Sequence, residues 1–290
     1  MKIGLKLHPD RKKVSPVLPE ILSVLANECE RIFVPESYKK FADGKQVFVM
    51  EKGENFTAHD IDLLISIGGD GTYIGAARSI AGTDIPILGI HLGGLGFLAE
   101  VLPHKFKEKI RDYFSGNYKI EKRKILEAEI VFNDYCKKYY CINDILINRN
   151  ESMSMGKFVT YVDGEYLNTY RGDSLIISTP SGSTAYNLSA GGPIISPHLD
   201  VITLTPVCPH SLSARPIILG GDQIITFDLK SSHRELALDI DGQERIAIKE
   251  AKKVIVRNSR SWLNIVRFDD YSFFHTLQTK LNWGVDKRNE

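Results

Sequence analysis

Residues 61–67 form a nearly continuous aliphatic run that ends directly on Gly68-Gly69-Asp70-Gly71-Thr72, after which Ile74, Ala77, Ile80 and Ala81 recur at helical spacing. A run apolar on both faces belongs to a strand covered by helices on each side, the setting of a parallel α/β sheet. Such sheets bind ligands beyond the C-terminal ends of their strands. The helix start that follows gathers backbone N–H groups around one point and favours negative charge there. The loop is therefore expected to hold phosphate through Gly68, Gly69, Gly71 and Thr72, with glycine serving where φ is positive or where a ligand must come close. The competing reading is a tight turn in which Asp70 or Thr72 caps the helix.

Asp70 narrows the choice. A carboxylate ~4 Å from a phosphate charge costs about 4 kcal/mol at an effective dielectric of 20, so a loop that only bound phosphate would avoid one. Two arrangements remove the conflict: a divalent cation between carboxylate and phosphates, or a carboxylate aimed at the hydroxyl that attacks phosphorus. Both imply phosphoryl transfer. Because a sugar hydroxyl is far less acidic than a carboxyl group, Asp70 is expected to accept the proton late, as the new O–P bond forms.

Other nucleotide signatures give less. No G-x-x-x-x-G-K-[ST] occurs, so a P-loop NTPase has no support. Gly94-Leu95-Gly96-Phe97-Leu98-Ala99 matches the dinucleotide fingerprint after the apolar run at 85–90, but no acidic residue ends a second strand about 20 residues later.

Two halves differ in period. Up to about residue 120 the chain alternates strand-like runs (2–7, 31–34, 61–67, 85–90) with helical patterns at Leu18, Ile21, Leu22, Leu25 and at Phe106, Ile110, Tyr113, Phe114. Beyond 125 it turns to short β-rich runs, at 125–132, 139–146, 158–162, 175–178, 224–229 and 254–256, with Asp163-Gly164 and Asp241-Gly242 as hairpin turns. The expected fold is an α/β N-terminal domain, a parallel sheet with flanking helices over 1–120, joined by a returning segment at 270–290, plus a mainly β C-terminal domain over 121–269. Within the returning segment, Phe273, Phe274, Leu277 and Leu281 are spaced as in a helix.

Composition excludes other classes. Thirty-seven basic against 36 acidic residues create no field to draw nucleic acid or an anionic membrane. No apolar run nears the ~18 residues of a membrane helix, and the N-terminus lacks a secretory core. The four cysteines show no metal spacing and read as reduced thiols of a cytoplasmic protein. No histidine or cysteine set is assigned to a metal.

Across almost the whole chain these residues resemble the NAD kinase family. The loop at 68–72 is similar to that family's G-G-D-G-T motif, which diacylglycerol-type lipid kinases share. Residues 172–193, GDSLIISTPSGSTAYNLSAGGP, resemble its long second signature far more specifically. Residues 89–98, Asn143-Asp144 and Asp241-Gly242-Gln243 resemble three further motifs.

The resemblance implies phosphorylation of NAD at the adenosine 2′-hydroxyl to give NADP, with ATP or polyphosphate as donor, a divalent metal such as Mg²⁺, and no permanently bound cofactor. It implies Asp70 as proton acceptor, with Gly71 beside it on the NAD, and Asn143 and Asp144 on the ribose hydroxyls. Thr184, Ala185, Tyr186, Asn187, Leu188 and Ser189 would line the NAD site, with Arg171, Asp173, Ser181 and Gln243 as further contacts. It implies a homo-oligomer, dimer or tetramer, and makes residues 94–99 a structural loop. Departures are Asp144 where Glu is common, Ser174 for a glycine and His91 for Asn. The alternatives are a lipid or sugar kinase sharing the loop, which leaves 172–193 unexplained, and a non-catalytic dinucleotide-binding regulator, which gains nothing from Asp70.

Overall fold

The computed structural model describes residues 1–94, 96–150, 154–229 and 236–283; Leu95, named in the fingerprint match, and the end of the segment at 270–290 lie outside them. The chain divides into two compact units, residues 1–122 with 263–290, and residues 123–262.

The first unit is built on parallel strands β1 (Lys2–Leu7), β2 (Arg31–Pro35), β3 (Val47–Met50), β4 (Leu63–Gly68) and β5 (Ile87–His91). They lie in the order β3-β2-β1-β4-β5, with Leu7 opposite Ile67 and Gly68 opposite His91. Every residue of β4 is buried, as its unbroken apolar run requires. Helix α1 (Arg11–Val14) is capped by Asp10, whose carboxylate accepts from the Lys12 N–H at 3.0 Å. Helix α2 (Leu18–Ala26) buries Leu18, Ile21, Leu22 and Leu25, the stripe expected from spacing. Helix α3 (Asp70–Ser79) leaves β4 directly, and α4 (Phe106–Phe114) buries Phe106, Ile110 and Tyr113.

The second unit is mainly β, as expected. An antiparallel sheet runs β13-β12-β11-β8-β15-β16, where β8 is Asp144–Asn148, β11 Ser174–Ser178, β12 Val201–Val207, β13 Ile217–Gly220, β15 Ala237–Ile240 and β16 Glu244–Ala247. Strands β9 (Gly156–Val162) and β10 (Glu165–Gly172) form a hairpin, and β9 also pairs with β14 (Ile225–Asp228). Both anticipated turns have their central residues at positive φ, Asp163 at 52° and Gly164 at 84°, Asp241 at 53° and Gly242 at 62°. Side chains such as Ile145, Ile147, Leu175, Ile177, Phe227 and Val254 fill this unit's core.

The run at 139–146 is not one strand. It splits into β7 (Cys136–Cys141), which pairs with β6 (Lys119–Val131), and β8, with a corner at Ile142 and Asn143. The run at 254–256 is part of a much longer strand, β17 (Lys253–Arg267), whose end lies beside β5 at Ile265 and Ile87. Helix α5 (Phe273–Leu281) follows, with Ser272 accepting from the His275 N–H at 3.3 Å and Leu277 buried in the first unit. All four cysteines are free, and no helix of the described residues is long and apolar enough to cross a membrane.

Candidate active site

In the first unit Gly69 is the N-cap of α3 and Asp70 its first residue. The Asp70 carboxylate does not cap the helix. Oδ2 accepts from the Phe97 N–H at 3.0 Å, and Oδ1 accepts from the Leu98 and Ala99 N–H groups at 3.2 and 3.3 Å. A carboxylate has roughly four acceptor positions, so three donors leave one, on Oδ2. Half-buried and fixed at two oxygens, the group keeps a single lone pair to offer.

None of Gly68, Gly69 or Gly71 has positive φ; in this region only Gly93 does, at 151°. The glycines of the loop serve close approach instead. A Cβ on Gly68 would lie 2.3 Å from Thr72 Oγ1, and one on Gly96 would lie 2.4 Å from Asp70 Oδ1 and 2.7 Å from His91 Cδ2. Residues 96–99 are thus the cradle of Asp70, more than a connecting loop. His91 sits against the same cradle, its Nδ1 buried without a partner among the described residues and burial holding its pKa below the usual imidazole value.

The same unit holds a cleft of about 640 Å³ at the C-terminal ends of β1 to β3. Lys6, Arg11, Lys39 and Lys52 face Glu36, Glu51 and Glu54 around it, close to charge balance. Burial, with Arg78 nearby, lowers the Lys6 pKa.

In the second unit the corner between β7 and β8 is organised by Asp241. Its Oδ1 accepts from the Asn143 N–H at 2.7 Å, the Ile142 N–H at 3.1 Å and Cys141 Sγ at 3.1 Å. Its Oδ2 shares the Ile142 donor at 3.1 Å. Thr179 locks the corner from the other side, donating its hydroxyl to the Ile142 carbonyl at 2.7 Å and accepting from the Gly182 N–H at 2.9 Å. A Cβ on Gly182 would fall 2.1 Å from the Asn143 carbonyl oxygen, so only glycine fits there.

Held this way, Asn143 keeps its side-chain Oδ1 buried with no partner among the described residues. Asp144 beside it is 7% exposed. Burial, then the Asp241 carboxylate, pushes its pKa up to about 7, opposed by the Tyr186 backbone N–H.

The anticipated NAD contacts divide by burial. Tyr186 is 45% exposed, and Ser189, Arg171 and Gln243 are also exposed. Thr184, Ala185 and Leu188 are half-buried, as is Ser181, which accepts from Arg123 Nη1 at 3.3 Å. Asp173 pairs with Arg149 at 2.9 Å. Asn187 is fully buried: its Oδ1 accepts from the Thr205 hydroxyl at 2.7 Å and its Nδ2 donates to the Pro193 carbonyl at 3.2 Å. Its side chain is spent inside the loop, and a Cβ on Gly192 would strike it.

Sequence reasoning assigned no role to Asp241, Thr179 or Arg267. Asp241 and Thr179 sat inside motifs, read as a hairpin turn and a loop of turn formers; nothing local marks Arg267, the last residue of β17. Among the described residues no three His, Cys, Asp or Glu side chains come together as a metal site.

Both halves of the chain resemble known proteins. Residues 3–118 match the family model described as the ATP-NAD kinase N-terminal domain, and residues 142–268 match the ATP-NAD kinase C-terminal domain. The chain is 43% identical over 229 residues to NAD kinase of Bacteroides fragilis, covering 79% of each, and 35% identical to NAD kinase of Clostridium botulinum over 97% of this chain and 96% of that one. A yeast NADH kinase complexed with NADH superposes with a TM-score of 0.87 at 26% identity over 100% of this chain and 90% of that one. An NAD kinase from Archaeoglobus fulgidus in complex with ATP shares the fold, with a TM-score of 0.75 at 21% identity over 97% and 99%. Sequence, structure and the order of motifs therefore agree that this chain belongs to the NAD kinase family.

Proposed function

We propose that this protein transfers the terminal phosphoryl group of ATP to the adenosine 2′-hydroxyl of NAD, giving NADP. The observation that carries the reading is Asp70, a carboxylate at a strand C-terminus and helix start, aimed by three backbone N–H groups with one acceptor position left. That position suits a hydroxyl proton. Asp70 orients the attacking oxygen and takes its proton as the bond to phosphorus forms, while the first turn of α3 favours the negative charge of the phosphates. The divalent ion enters with ATP and neutralises phosphate charge.

The orphan Oδ1 of Asn143 and the carboxyl of Asp144 suit the ribose hydroxyls, one accepting and the other able to donate or accept near neutral pH. Exposed Tyr186 offers a ring face to the dinucleotide. Ser181, Thr184, Ala185, Leu188, Ser189, Arg171, Asp173 and Gln243 complete its contacts, and Asn187 acts by holding the loop. A homo-oligomer accompanies this reading; a one-chain mass by light scattering would contradict it. Free cysteines suit a cytoplasmic setting, and fractionation into an oxidising compartment would contradict that.

The test is Asp70→Asn, which keeps the side-chain size and removes the base, at the cost of a bond from the cradle to the oxygen that becomes an amide nitrogen. Turnover is expected to fall by about 10²–10⁴-fold with NAD affinity held. Full turnover in this variant removes the proton-acceptor role.

A further inference from the structure

The peptide between Leu98 and Ala99 is bonded at both ends to charged side chains. Its N–H donates to Asp70 Oδ1 at 3.3 Å, and its carbonyl accepts from Arg267 Nη1 at 3.2 Å. The carbonyl and N–H of a trans peptide point in opposite directions within its plane, so Arg267 and Asp70 stand at opposite edges of one rigid unit. A cation on the oxygen and an anion on the N–H polarise that plane in the same sense, strengthening both bonds and fixing its rotation.

Arg267 is itself immobilised. It is 5% exposed, its Nη1 also donates to Glu100 at 2.6 Å, its Nε donates to Glu121 at 2.7 Å, and its guanidinium carbon lies 3.8 Å from the Tyr271 ring centre. Two carboxylates and an aromatic face around one planar fork leave it a single orientation.

We propose that Arg267 is the positioning residue for Asp70, acting through the peptide between Leu98 and Ala99. The proposal rests on Asp70 as the proton acceptor. The C-terminal segment thereby aims the catalytic carboxylate without touching substrate. Phosphoryl transfer depends on alignment, and a small rotation of this peptide moves Oδ1, and with it the free lone pair on Oδ2.

Arg267→Lys keeps the charge among Glu100 and Glu121 but replaces a fork by a single ammonium, which cannot reach all three acceptors. In the full chain we expect kcat to fall about 10- to 100-fold while KM for NAD and for ATP stays within about threefold. Amides 97–99 should exchange with deuterium at least about tenfold faster, with the melting temperature shifted by only a few degrees.

An Arg267→Lys enzyme with unchanged kcat overturns the proposal, as do unchanged exchange at 97–99 or a kcat loss matched by an equal KM rise. Wild-type protein that makes no NADP sinks the underlying reading instead. The exchange experiment still decides whether Arg267 holds the cradle.

Discussion

At Asp144 burial and a neighbouring carboxylate both work against ionisation, so the fold holds a proton there that the unfolded chain has released. With a pKa raised from 3.8 to about 7, its native state binds more protons than the unfolded state between those values. Stability is therefore lost as pH rises through that window, and the loss is complete above about 7, amounting to a few kcal/mol. Asp144→Asn removes the titration. Its melting temperature should exceed that of wild type at pH 8, and the gap should close towards pH 4, while NAD affinity falls. A variant no more stable than wild type at pH 8 would show that Asp144 is not a strained carboxylate. That strained carboxylate lies beside the orphan Asn143 oxygen, the juxtaposition that supports their proposed place in the dinucleotide site.

Among the elements, the corner between β7 and β8 depends most on a remote residue. Asp241, at the turn between β15 and β16, satisfies the Ile142 and Asn143 N–H groups across nearly a hundred residues of sequence. Asp241→Ala leaves those donors unpaired, at about 1–3 kcal/mol for each buried one. We expect the second unit to lose about 3 kcal/mol or more in denaturant unfolding, with NAD affinity falling alongside. A loss below about 1 kcal/mol would mean that water replaces the carboxylate.

The same contact shows what was legible in the sequence. Asp241-Gly242 was readable as a turn because its φ preferences are local, whereas the partners of its carboxylate are set by how strands pair. Likewise β4, its glycine loop and the buried stripe of α2 followed from period alone. Strand β3 did not, because it is four residues long with Phe48 and Val49 about 40% exposed. The full length of β17 was hidden by Arg257, Asn258, Ser259 and Arg260, which interrupt its apolar pattern. Asp70 itself was visible; the amides that hold it, 27 to 29 residues on, were not.

At the scale of the molecule the proposed chemistry draws on residues of both units. The first presents Asp70 in its cradle, and the second presents Asn143, Asp144 and the loop around Asn187. Neither set alone specifies the reaction: a glycine loop with an aspartate serves many phosphoryl transfers, and a polar corner serves many dinucleotides. Joined in one chain of this family, they support the proposed phosphorylation of NAD. The most direct test is to incubate the purified full-length protein with NAD, ATP and Mg²⁺ and follow NADP with an NADP-specific dehydrogenase, which accepts only the 2′-phosphorylated product. The account predicts NADP accumulating with enzyme and time, and lost on omission of ATP. ATP consumption with no NADP, or no reaction with NAD, would contradict it.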